Sequence, residues 1–179
     1  GLPTWIIIGG SHWGTGSGVT LQDVYWIEFE TKHIHSKGSL GVRVMSTCAA
    51  AHNDVVYFYG GVDLSGASPY SFNKLHKYDL TANTVSEQTL DVAASQRPYI
   101  YDGACAVYGD KYYYVFGSVV NGASSLDNSF SHVLKSNGID QQVWGTGAVM
   151  EFSNLGQATV NMRYVGDWET GHMAPFAKK

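Results

Sequence analysis

The run Asp54-Val55-Val56-Tyr57-Phe58-Tyr59-Gly60-Gly61 joins β-branched and aromatic residues to a pair of glycines. Two similar runs occur elsewhere in the chain. Trp5-Ile6-Ile7-Ile8-Gly9-Gly10 lies 51 positions upstream, and Tyr112-Tyr113-Tyr114-Val115-Phe116-Gly117-Ser118 lies 57 positions downstream, with serine in place of the second glycine. A strand signature that recurs about every 50 residues predicts one strand-based unit used about three times, since helical repeats are shorter and lack such runs.

The segments around these runs also have the composition of strands and turns. In the second unit a strand of small residues (46–51) precedes the glycine run, and strands at 75–80 and 84–90 follow it. The third unit repeats this order with strands at 104–108, 111–116, 130–134 and from 142. No helical periodicity is sustained for more than two turns. We therefore predict an all-β fold of antiparallel four-stranded sheets.

The second unit resembles the kelch repeat family in the order of its residue types. The family pattern has a basic residue, a small-residue strand, a strand ending in Gly-Gly, a variable loop and a strand ending in Tyr-Asp. The matching residues are Arg43, Ala49 to Ala51, Tyr57, Gly60, Gly61, Tyr78 and Asp79. The resemblance covers about residues 5–144. It departs from the pattern at Ser118 and at the family tryptophan, which is Val85 in the second unit and Ile34 in the first.

This resemblance implies a single partial kelch-type β-propeller domain over residues 1–179. Its expected blades are residues 5–40, 41–92 and 97–150, with a C-terminal closing strand at about 157–166. Three blades are fewer than the four to eight of a closed propeller. The other blades are expected from a second copy joined head to tail or from another segment of a longer chain.

Composition narrows the classes of function. The net charge is −4 and no basic run is longer than Lys178-Lys179, whereas nucleic-acid binding normally needs a basic patch. No apolar run reaches the roughly 20 residues of a membrane-spanning helix. Two cysteines and no Asn-x-Ser/Thr site favour a cytoplasmic or unglycosylated protein. A first residue other than methionine leaves a cleaved signal peptide, and therefore secretion, open.

No group of residues in the sequence has the pattern of a catalytic site. The Gly14-Thr15-Gly16-Ser17-Gly18 run lacks the lysine and the helix of a phosphate-binding loop, so we expect a flexible loop there. His33 and His35 project to one face of a strand, but two ligands do not make a metal site. We expect no enzyme activity, no cofactor and no metal, and an oxidase built on a propeller is the least favoured alternative.

Two expectations concern single positions. Cys48 and Cys105 each precede their glycine run by 12 residues, counted to Gly60 and Gly117. Equivalent positions in neighbouring units are usually too far apart for a disulfide, so we expect two free, buried thiols. Gly60 is expected to have a positive φ, which would make Gly60→Ala cost about 1 kcal/mol or more.

The function that this organisation favours is binding through loops. Loops 11–23, 62–73 and 118–129 follow the glycine runs and would emerge on one face of a propeller. Rigid sheets that hold variable loops form a binding platform. The residues expected on this face are His12, Trp13, Asp63, Tyr70, Asn73, Asn121 and Asp127. We therefore predict a noncatalytic module that binds a protein partner, and the alternative is a carbohydrate-binding or extracellular structural propeller.

Overall fold

A computed structural model describes residues 4–13, 18–65, 70–97, 99–115, 118–120, 134–135, 138–139 and 149–166. These residues form strands and turns with one short 3-10 helix, Ala94–Gln96, so the predicted all-β fold class is confirmed. No helix among them is long and apolar enough to cross a bilayer.

The strands are numbered along the chain. They are β1 (Thr4–Ile8), β2 (Ser11–Trp13), β3 (Gly18–Thr20), β4 (Asp23–Glu28), β5 (Ile34–Ser39), β6 (Cys48–His52), β7 (Val55–Tyr59), β8 (Val62–Asp63), β9 (Tyr70–Ser71), β10 (Leu75–Asp79), β11 (Thr84–Glu87), β12 (Thr89–Leu90), β13 (Tyr99–Tyr101), β14 (Ala104–Tyr108), β15 (Lys111–Val115), β16 (Ser118–Val120), β17 (Leu134–Lys135), β18 (Gly138–Ile139), β19 (Val149–Ser153) and β20 (Thr159–Gly166).

Three main sheets hold the glycine runs. Sheet 1 has the order β1-β4-β5, sheet 2 the order β11-β10-β7-β6, and sheet 3 the order β12-β20-β19-β15-β14. All neighbours pair antiparallel except β12, which follows β11 in the chain and pairs parallel with β20. The hydrophobic parts of the three glycine runs form β1, β7 and β15. Strands β7 and β15 each lie between two other strands.

The third and fourth strands of sheet 3 differ from the prediction. They are β19 and β20, whereas we expected strands at 130–134 and from 142, most of which lies outside the described residues. The expected C-terminal strand at 157–166 is present as β20, but it is not a closing strand, because it pairs with β19 in sheet 3. Strands β19 and β20 form a hairpin in which residues 154–160 connect the last pair, Ser153 and Asn161. Local hairpin pairing explains why the strand stays in its own unit.

Middle strands of sheet 2 are covered on both faces, as the hydrophobic run predicts. Val56 and Phe58 of β7 belong to a core shared with Val24 of β4 and with Leu40 and Val44, which lie between β5 and β6. Tyr57 and Tyr59 of the same strand face the other way, because side chains alternate along a strand, and they belong to a second core. The second core joins sheets 2 and 3 and contains Tyr57, Tyr59, Leu75, Leu90, Ile100, Tyr112, Tyr114, Met150, Phe152, Leu155, Val160 and Met162.

The glycine pairs form contacts between successive units. Gly10 N–H donates to the carbonyl of Val44 (2.8 Å), and Gly61 N–H donates to the carbonyl of Ile100 (2.8 Å). The preceding glycine packs on the same carbonyl. A Cβ at Gly9 would lie 2.1 Å from the Val44 oxygen, and a Cβ at Gly60 would lie 2.2 Å from the Ile100 oxygen. Gly60 has the expected positive φ, +68°, but close approach to the next unit is a second reason why only glycine fits.

Cys48 and Cys105 form a disulfide between β6 and β14, so the expectation of two free thiols is wrong. Their Cα atoms are 5.6 Å apart, within the usual range for a disulfide. The two cysteines are the first-strand residues of neighbouring sheets. The disulfide therefore links sheet 2 covalently to sheet 3, along the core that the tyrosines fill.

The error comes from the register that we used to compare the second and third units. The hairpin turns show the true offset, because Gly109 of the β14–β15 turn lies 56 positions after Asn53 of the β6–β7 turn. Cys105 therefore corresponds to Ala49 and not to Cys48. A shift of one residue in a strand moves a side chain to the opposite face. Cys48 consequently points from sheet 2 towards sheet 3, while Cys105 points back, and the two sulfur atoms meet.

Candidate binding platform

Short two-stranded ribbons extend from the glycine ends of the sheets. After Gly10 the chain forms the β2–β3 ribbon, and after Gly61 it forms the β8–β9 ribbon. The third unit places β16 against β13, the strand that precedes β14. We call these six strands, β2, β3, β8, β9, β13 and β16, the ribbon layer. The layer occupies the region where the sequence predicts the binding loops, and it is more regular than a set of loops.

The first and second ribbons are joined by hydrogen bonds around Thr20, which is buried. Thr20 N–H donates to Ser65 Oγ (2.7 Å), and Leu64 N–H donates to Thr20 Oγ1 (2.9 Å). Ser65 Oγ in turn donates to the Thr20 carbonyl (3.3 Å). Thr20 and Ser65 are small polar residues in segments without a periodic pattern, so the sequence alone did not single them out.

Further backbone contacts connect the ribbons to the sheets. Met45 and Val62 exchange two hydrogen bonds of 2.9 Å, and Phe72 N–H donates to the Gly61 carbonyl (3.0 Å). Strands β9 and β13 are also in contact, which brings the second ribbon to the third. The ribbon layer is therefore a connected structure held by both backbone and side-chain hydrogen bonds.

Five of the seven residues predicted on the binding face lie among the described residues, and all five are in or next to the ribbon layer. His12 is exposed on β2, opposite Val19 of β3. Trp13 is the last residue of β2, and Tyr70 opens β9. Asn121 and Asp127 lie outside the described residues.

Asp63 and Asn73 are not presented to solvent, contrary to our expectation. They are 7% and 6% exposed. The Asp63 carboxylate accepts a hydrogen bond from Ser65 N–H (2.9 Å), which closes the turn after β8. The Asn73 amide donates to the carbonyl of Ala94 (2.8 Å) and so attaches the end of the second loop to the 3-10 helix. Both side chains therefore stabilise the segments in which they lie.

The remaining histidines do not assemble a metal site within the described part of the chain, where no three His, Cys, Asp or Glu side chains form a suitable group. His33 and His35 contact each other edge to face at 6.1 Å between ring centroids, and His35 packs on Trp26 at 4.7 Å. His76 is buried between sheets 1 and 2, stacked on Phe58 at 5.0 Å. Burial lowers the pKa of His76, so it is a neutral core residue.

A charged cluster lies on the outer face of sheet 3, which is the face that points away from sheet 2. The Glu151 side chain is buried and accepts from Arg163 (2.8 Å), with the Lys111 ammonium at 3.5 Å. Burial alone would raise the pKa of Glu151, but hydrogen bonds from Tyr113 and Arg163 and the positive charges of Arg163 and Lys111 lower it overall. Glu151 is therefore an ionised, fully paired carboxylate, which does not favour a role as a proton donor or acceptor.

Comparison with known proteins gives a fold likeness and no family. No family model matches the chain, and no curated protein matches it. Among solved structures, 123 chains resemble it. One of them, described as "Structure of YjhT", superposes with a TM-score of 0.52 at 15% sequence identity. The match covers 64% of this chain and 42% of the YjhT chain, so this chain shares its fold with part of YjhT and spans less than half of that protein's length.

Proposed function

We propose that this chain is part of a kelch-type β-propeller and acts as a noncatalytic module that binds a protein partner through the ribbon layer. The observation that carries the proposal is the connected ribbon layer itself. It places the exposed His12 and two aromatic residues, Trp13 and Tyr70, on short strands that the sheets hold in place. Binding residues held on a rigid scaffold lose little conformational entropy when a partner binds.

The repeated architecture supports the propeller part of the proposal. Sheets 1 and 2 each end in a glycine pair that contacts the next unit, and the cores between sheets are continuous. Successive sheets packed face to face are the arrangement of propeller blades. The partial match to the longer YjhT chain favours additional blades supplied by another segment of a longer protein.

The test compares substitutions inside and outside the ribbon layer. A partner is first captured from extracts of the source cells and identified, and its affinity is then measured with purified proteins. Trp13→Ala and Tyr70→Ala should each weaken binding about 30-fold or more, because truncation of a central aromatic contact usually costs about 2 kcal/mol or more. Tyr108→Ala is the matched control, since Tyr108 is 79% exposed and lies at the opposite end of sheet 3, beside the β14–β15 turn.

Normal binding by both ribbon variants, together with loss of binding in the Tyr108 variant, would place recognition on the other end of the sheets. Thermal unfolding of each variant must be measured in parallel, because a change in affinity counts only if the protein stays folded.

The disulfide favours a second candidate function, an extracellular binding or structural propeller. Stable disulfides form in oxidising compartments and are rare in the cytosol. The Cys48–Cys105 bond therefore favours secretion over the cytoplasmic localisation that the sequence favoured. A glycan array distinguishes the two candidates: specific retention of a saccharide, reduced by Trp13→Ala, would support carbohydrate binding, whereas no retention leaves the protein-binding module as the better proposal.

A further inference from the structure

Sheet 1 has one face that no described residue covers, and this face is apolar. Trp5 and Ile7 of β1 pair with Ile27 and Tyr25 of β4, and Ile27 pairs with Ile34 of β5, so all five side chains share one face. Trp5 is 62% exposed and Ile34 is 66% exposed. Phe29 extends the patch, with its ring 4.9 Å from that of Trp5. We call these six residues the sheet 1 patch.

The repeat identifies what normally covers such a face. Gly9 corresponds to Gly60, so Trp5 corresponds to Val56 and Ile7 to Phe58. Both of the residues in sheet 2 are buried, at 3% and 0% exposure, in the core that sheet 2 shares with the first unit.

The equivalent face of sheet 3 is covered in the same way. The hairpin register places Tyr112 and Tyr114 at the positions of Val56 and Phe58, and both tyrosines are buried in the core shared with sheet 2. In both cases the covering element is the preceding sheet of the repeat.

We infer that the sheet 1 patch is the docking surface for a further antiparallel sheet of the same repeat, which presents an apolar face to it as sheet 1 does to sheet 2. The face that sheet 1 presents to sheet 2 carries Ile6, Ile8 and Val24. Packing two such apolar faces removes the patch from water without burying any unpaired charge.

The outer face of sheet 3 does not fit the patch, which argues against a second copy joined head to tail. That face carries the charged cluster of Lys111, Glu151 and Arg163. Covering the cluster with the sheet 1 patch would remove the partly exposed Lys111 and the exposed Arg163 from water in exchange for apolar contacts, which is costly. The further sheet is therefore expected from another segment of a longer protein. This inference rests on the propeller part of the proposed function. It concerns a different surface from the ribbon layer, so its failure would leave the test of partner binding unaffected.

The experiment compares the 179-residue chain with the full protein as it occurs in its source. Oxidative footprinting with mass spectrometry measures the accessibility of single side chains in both. In the 179-residue chain Trp5 should react as rapidly as the exposed Tyr108. In the full protein Trp5 should become as slow as the buried Phe58, while Tyr108 remains fast. Equal reactivity of Trp5 in both proteins would overturn the inference.

Substitutions give an independent readout. Trp5→Lys should leave the melting temperature of the 179-residue chain nearly unchanged, because the side chain is exposed there. The same change should lower the melting temperature of the full protein, where the lysine would be buried, and Tyr108→Lys is the control that should be tolerated in both. An equal effect of Trp5→Lys in the two proteins would contradict the inference.

Sedimentation measures the oligomeric state and so tests whether a second copy, and not a further sheet, covers the sheet 1 patch. A native protein that consists of these 179 residues and is monomeric at every concentration overturns the inference. A dimer of the native protein that Trp5→Lys dissociates also overturns it, in favour of a second copy as the occupant of the patch.

Discussion

Substitution of Gly60 by alanine tests the contact between successive units, and Gly109 provides a matched control. Both glycines have similar positive φ angles, +68° and +61°. Their surroundings differ. A Cβ at Gly109 would have no atom within 4 Å, whereas a Cβ at Gly60 would lie 2.2 Å from the Ile100 carbonyl oxygen. Gly109→Ala therefore measures the cost of the backbone conformation alone, and Gly60→Ala measures that cost together with the loss of close packing.

The expected magnitudes follow from these two terms. Alanine in the left-handed region costs about 1 to 2 kcal/mol, which is the full effect expected for Gly109→Ala. Gly60→Ala must also displace the Ile100 carbonyl, which accepts the 2.8 Å hydrogen bond from Gly61 N–H. Loss of that bond costs about 1 kcal/mol, and forced repacking adds about 1 to 3 kcal/mol. The free energy of unfolding should therefore fall by about 2 to 4 kcal/mol more in Gly60→Ala than in Gly109→Ala.

Urea denaturation followed by tryptophan fluorescence gives the two free energies of unfolding. Thermal unfolding gives a second estimate, and the difference should correspond to roughly 5 to 15 °C in melting temperature for a chain of this size. Equal destabilisation by the two substitutions would refute the reasoning, because it would show that the glycine is needed only for its φ angle and not for contact with the next unit.

Three further predictions concern the cores between the sheets. The double variant Cys48→Ala/Cys105→Ala should lose up to about 4 kcal/mol in free energy of unfolding, since the disulfide closes a separation of 57 residues; identical urea midpoints with and without reductant would contradict the disulfide. Tyr112→Phe should cost about 1 to 2 kcal/mol by urea denaturation, because its hydroxyl donates to the Cys48 carbonyl at 2.8 Å and the change leaves that carbonyl without this donor. His76 has a lowered pKa in the fold, so the unfolded state binds the proton more tightly and stability should fall as the pH drops below about 6.5; His76→Leu should reduce this loss between pH 7 and pH 5, and an unchanged pH dependence would exclude His76 as its source.

Much of the fold could be predicted because its signals are local. The hydrophobic runs of β1, β7 and β15 end at glycines, and those positions were found from composition and spacing alone. The last two strands of sheet 3, β19 and β20, were harder to assign, because residues 116–148 separate them from the repeated pattern. The sequence indicates strands well, but it indicates their partners only where the connection is short.

The disulfide shows a different limit of sequence reasoning. Aligning the units on their glycines gave Cys48 and Cys105 equivalent places, whereas the hairpin turns place Cys105 one residue away from that position. One residue in a strand decides which face a side chain occupies, so a small error of alignment reversed the conclusion. Candidate binding residues are also hard to identify from sequence. Asp63 and Asn73 are residue types common in surface loops, and yet both make internal hydrogen bonds.

The glycine contacts can form during synthesis only after the later residue of each pair has been made. The acceptor for Gly10 is Val44, and the acceptor for Gly61 is Ile100, so the first two units each bond to residues that are made later. At translation rates of about 5 to 20 residues per second, the roughly 40 residues between Gly61 and Ile100 take about 2 to 8 s to appear. During that interval Gly61 N–H has no acceptor, and the apolar face of β7 that will meet sheet 3 stays exposed until β14, β15 and β19 have also been made. A chaperone that binds the nascent chain would therefore be needed most just after each glycine pair leaves the ribosome, and a pause in translation between Gly61 and Ile100 would prolong the exposure.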